Sequence, residues 1–79
     1  MSLAFEIAPE DVQAVLAMEG RPASYGEAED ILAGHVAAAS GRVERAALRG
    51  DDLDEQTTYA YEEIAAVLRE AGVIGGGSR

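Results

Sequence analysis

Apolar residues along this chain recur in steps of three and four. In the last third, Leu53, Thr57, Ala60, Ile64, Val67 and Ala71 follow that spacing, with Tyr61 and Leu68 beside the seam. It is the spacing of one face of an α-helix. The same rhythm in Ala28, Ile31, Leu32, His35 and Ala39 predicts a second helix, ending near Ala39. Val12, Val15 and Leu16 predict one over about Pro9 to Glu19, with Phe5 and Ile7 folding back onto the core. Val43, Ala46 and Ala47 predict a short segment that stops at Gly50. No stretch alternates apolar and polar residues with the period of a strand. The expectation is therefore an all-α fold, a small three- to four-helix bundle over residues 1–74 with a flexible C-terminal tail at 75–79.

Local signals set the boundaries. Pro9 suits a first helical position, where its missing N–H would have no partner anyway. Gly20 and Gly72 can take the left-handed conformation that ends a helix, with Val73 packing back on Leu68. Ser24 and Glu27 have the spacing of a capping box, and Asp51 or Asp52 can cap the last helix. Gly41 either ends the second helix or kinks it; the sequence leaves both open.

Composition narrows the function. Sixteen alanines and four aromatics mean that the helices must approach closely, so Ile64, Leu68, Leu32, Ile31, Leu16 and Phe5 are expected to carry most of the core. The 79 residues contain no cysteine, which removes thiol chemistry and cysteine-held zinc and points to a reducing cytoplasm. No apolar run reaches the length of a membrane span, and the N-terminus turns acidic too early for a signal peptide. All six basic residues are arginine; with the many alanines this suggests a GC-rich bacterial genome. The net charge of -9 disfavours binding to nucleic acid or anionic lipid and favours a basic protein partner.

Candidate chemistry starts with DDLDEQTTYAYEE, residues 51–63, which holds six carboxylates. Asp52, Asp54, Gln56 and Glu63 fall at calcium-loop positions, but Thr57 stands where such a loop needs glycine. The stretch also carries the helical seam, so it reads as the acidic, capped start of a helix. His35, the only histidine, lies on the apolar face of the second helix and reads as a packed side chain. No catalytic residue, metal ligand or cofactor site is predicted. A small enzyme or metal protein built on His35 is a minor alternative.

Length, acidity and helical pattern resemble those of acyl carrier proteins, but their Asp-Ser-Leu motif is missing: Ser24 stands in ASYGE and Ser40 in AASGR. The run AASGRVERAAL, 38–48, resembles the last-helix entry of ubiquitin-associated domains, and VLAMEG resembles their first loop, with Glu19 interrupting it. Neither resemblance assigns a family.

Two faces remain as candidate contact surfaces. Arg42, Arg45 and Arg49 share one side of the third segment, and Glu55, Glu62, Glu63 and Glu70 surround Tyr59 on the outside of the last helix. The expectation is a non-catalytic, acidic protein–protein interaction module, such as an accessory protein of a phage or plasmid. Its partner would be a basic protein or a second copy of the chain, giving a homodimer. The alternative is a nucleic-acid mimic that occupies the cleft of a DNA- or RNA-binding protein.

Overall fold

The computed structural model describes residues 3–75. Four α-helices follow one another: α1 (Pro9–Met18), α2 (Tyr25–Ile31), α3 (Ser40–Ala47) and α4 (Leu53–Glu70). A π-helical turn, Leu32–Val36, and a 3-10 turn, Ala37–Ala39, join α2 to α3. The described residues contain no strand. The fold is all-α, and α4 is its longest element; α3 packs along it, while α1 packs on both α2 and α4. Of the expected tail only Gly75 lies within the described residues.

The helix ends follow the chemistry of the sequence. Pro9 opens α1, and Asp11 Oδ2 accepts the Ala8 N–H at 2.8 Å. Ser24 Oγ accepts the Glu27 N–H at 3.1 Å, but Glu27 pairs with Arg21 rather than reaching back, so the capping box is half formed. Asp52 Oδ1 accepts the Glu55 N–H at 2.9 Å, and Glu55 Oε1 accepts the Asp51 N–H at 2.7 Å. The acidic opening of α4 thus spends these two carboxylates on N–H groups of its first turn and of the residue just ahead of its cap. Gly20 and Gly72 adopt φ of 80° and 79°, and the Val73 N–H returns to the Leu68 carbonyl at 2.9 Å.

The second helix departs from expectation. It does not run unbroken to Ala39, and the irregularity lies ahead of Gly41, which sits inside α3. The Ala37 N–H bonds to the Leu32 carbonyl, five residues back, and so admits an additional residue into the turn. That residue rotates everything after it. Counting from Ile31, a regular helix would bring His35 inward; here Val36 is fully buried and His35 is exposed. His35 is therefore not packed in the core, and Leu32 is only partly buried. After the slip, Val36, Val43 and Ala47 continue one buried line into α3.

The seam of α4 is also shifted at its ends. Leu53 and Ala71 are exposed, and Gln56 takes the inward position ahead of Ala60, Ile64 and Leu68. At the N-terminal end the cause is the chain ahead of α1. It brings Phe5 into the core, and Gln56 Oε1 accepts the N–H groups of Ala4 and Phe5 at 2.8 and 3.2 Å. The Gln56 amide also reaches the Gly50 carbonyl at 3.5 Å. A buried glutamine is tolerable because it satisfies backbone groups that no helix provides for. Phe5 meets Tyr61 edge-on, with ring centroids 6.3 Å apart. Gly50 allows this corner to close. A Cβ there would lie 2.5 Å from the Gln56 nitrogen and 2.7 Å from the Glu55 carbonyl carbon, closer than any side chain fits.

Candidate functional site, a cleft between α1 and α4

Where α1 leaves α4 incompletely covered, a half-open cleft of about 470 Å³ forms. Val15 and Met18 of α1 and its cap residue Glu19 line it on one side; Thr57, Thr58, Tyr61, Glu62, Ala65 and Arg69 line it from α4. From Thr57 to Arg69 these α4 positions extend over roughly 18 Å of helix at ~1.5 Å rise per residue. Val15 and Ala65 are buried and supply apolar lining, whereas Met18 is 71% exposed. That exposure is informative in a chain of few large apolar residues, because an unbranched methionine adapts its shape to what covers it.

The polar groups of the cleft divide into committed and uncommitted. The Tyr61 hydroxyl donates to Asp11 Oδ1 at 2.8 Å. Burial, and then the bond and the charge of Asp11, push the Tyr61 phenol up to about 12. Arg69 pairs with Glu19 at 3.4 Å, and the Thr58 hydroxyl donates to the Asp54 carbonyl at 3.1 Å. Glu62 is exposed, and its carboxylate has no ion pair or hydrogen bond among the described residues.

Several of the sequence-predicted contact residues meet along the α3–α4 side, whereas Glu62 lies at the cleft. Arg42 crosses from α3 to α4; its Nε donates to Glu63 at 2.9 Å and its Nη1 to Glu70 at 2.8 Å. The hydrogen bond and charge of Arg42 hold the Glu70 carboxyl below its ordinary range. The Arg49 guanidinium lies 4.7 Å from the centre of the Tyr59 ring, so that ring faces a cation and not only carboxylates. Glu55 is used at the start of α4. Arg45 is exposed and outside every ion pair among the described residues. Of the acidic residues proposed from sequence, only Glu62 borders the cleft.

Sequence reasoning missed Met18, the threonines and Arg69 as cleft residues. Their one visible signal was Met18, an apolar residue just off the buried line of Val12, Val15 and Leu16. Among the described residues no three of histidine, cysteine, aspartate and glutamate gather into a metal-ligand set, and no helix is long and apolar enough to cross a membrane. Comparison with protein-family models, with curated proteins and with solved structures found no match.

Proposed function

We propose that this chain is a non-catalytic protein–protein interaction module, a small helical bundle that receives a basic partner protein in the α1–α4 cleft. One observation carries the reading. Met18 stands 71% exposed beside a cleft whose border holds Glu62, a carboxylate with no partner among the described residues. An adaptable apolar side chain next to an uncommitted charge offers contact area together with a means of choosing the partner's sign. A cytoplasmic, bacterial setting accords with the absence of cysteine and the alanine- and arginine-rich composition. A role as a phage or plasmid accessory protein accords with the small size and strong acidity.

Nucleic-acid mimicry is the weaker reading. It needs carboxylates free to stand in for phosphates, and Glu63 and Glu70 are taken by Arg42.

A photo-crosslinking residue introduced at Met18 in cells of the source tests the reading, with exposed Glu29 of α2 as the control position. A discrete cross-linked protein from Met18, absent from Glu29 and weakened by Glu62→Arg, is the expected result. The same diffuse labelling from both positions would overturn it.

A further inference from the structure

We infer that the cleft receives an amphipathic helix of another protein, which seats one apolar side chain against Val15, Met18, Tyr61 and Ala65 and presents an arginine or lysine to Glu62. This rests on the interaction reading above and adds the form and chemistry of the partner.

Shape is the first argument. The cleft follows α4 for roughly 18 Å, about three helical turns. Its volume of about 470 Å³ is that of a pocket for side chains, not for a whole helix. The occupant therefore lies along the cleft and inserts what projects from one face.

Backbone chemistry is the second. The walls are two α-helices, whose main-chain groups bond within themselves, and the described residues contain no strand edge onto which an extended peptide could add. A partner that also satisfies its own backbone loses nothing on entering, and a helix does so.

Charge is the third. The lining includes Glu19, Glu62 and Arg69; Glu19 and Arg69 neutralise each other and leave Glu62. Asp11 adds a further carboxylate behind Tyr61. A second copy of this chain would bring its own net charge of -9 to this border, so a basic partner is favoured over self-association. Glu62 and Ala65 are three residues apart on α4 and therefore neighbours on its surface. A matching anchor and base on the partner need a similar separation, which residues three or four apart on a helix provide.

The test uses designed alanine-rich helical peptides with a leucine and an arginine four positions apart. Controls carry glutamate for the arginine, or alanine for the leucine. Binding is followed at the Met18 methyl resonance and by titration against wild type, Glu62→Gln and Met18→Ser. Both replaced residues are exposed, so both variants should fold. The Met18 methyl should shift and saturate with the leucine–arginine peptide. Affinity should fall about two- to fivefold with Glu62→Gln, the scale of one exposed ion pair. It should also fall as salt rises.

Equal binding of the arginine and glutamate peptides would overturn the inference. So would an unmoved Met18 methyl at millimolar peptide, or equally tight binding of N-acetyl-leucine amide, which would make the cleft a small-molecule pocket. A cross-linked partner at Met18 combined with failure of the peptides would keep the interaction reading and remove the helical partner. Failure of both would remove both. Dimerisation abolished by Glu62→Arg would replace the foreign helix with a second copy.

Discussion

Tyr61 on α4 and Asp11 on α1 are joined by a 2.8 Å hydrogen bond, and the second oxygen of the same carboxylate accepts the Ala8 N–H. One side chain thus both fixes the start of α1 and ties that helix to α4, on the flank of the cleft. Removing the phenolic oxygen with Tyr61→Phe should cost about 1 kcal/mol, since Asp11 keeps its other bond. Urea unfolding at neutral pH measures this. The pH dependence has a definite sign. A phenol raised from 10.0 to about 12 in the folded state holds its proton more tightly there than in the unfolded chain. Its contribution is complete below pH 10 and is lost as the pH rises from 10 through about 12. Tyr61→Phe should lack that part of the alkaline decline; an unchanged decline would place it elsewhere.

Gln56→Ala should destabilise the fold by roughly 1–3 kcal/mol, the cost of leaving buried N–H groups without an acceptor. Hydrogen exchange localises the effect. The Phe5 amide should lose protection far more than amides in the middle of α4. Uniform loss along the chain would mean that Gln56 supports α4 itself and not the segment laid across it.

Gly50 has no positive φ to accommodate; its constraint is space. Gly50→Ala places a methyl against backbone that cannot swing aside, and should cost about 1–3 kcal/mol. A variant as stable as wild type in thermal unfolding would show that the α3–α4 corner opens freely.

The carboxylates of α4 should separate into two kinds. Glu62→Gln should leave the melting temperature unchanged, because that side chain holds nothing within the described fold. Glu63→Gln should lower it, and should do so less in about 1 M salt, where the screening length falls to about 3 Å. Glu70 sets the acid side. Its depressed pKa gives a contribution that is present above 4.5 and lost as pH falls through the lower folded value. Arg42→Met should remove this acid sensitivity along with the salt dependence. Identical behaviour of the Glu62 and Glu63 variants would contradict the pairing.

Much of the fold was legible in the residues, and the illegible parts share a cause. Pro9, Gly20, Asp52 and Gly72 mark ends by rules that act within a few residues, and each stands where those rules place it. Ile64 and Leu68 are buried at the spacing that singled them out. His35 was misplaced because the periodic reading assumes one turn size, and nothing local in LAGHV shows that the turn widens. Gln56 falls outside the predicted seam because its partners, Ala4 and Phe5, lie about fifty positions away. Nor does the sequence show that Arg42 reaches across to two members of the acidic face, Glu63 and Glu70. The cleft is a gap between two helices, and a gap has no sequence of its own.

The widened turn at Leu32–Val36 carries a consequence for how this chain tolerates change in length. Register in α2 and α3 is not one continuous count: the two helices keep separate phases that meet at a turn already holding a surplus residue. Removing Gly34 could let that stretch close as an ordinary helix, bringing Val36 to the place a regular count assigns. The same deletion in the middle of α4 would turn half of an eighteen-residue seam toward water. The chain therefore has a reserve of one position in its midsection and none in its longest helix, and natural variation in length should collect at the first and avoid the second.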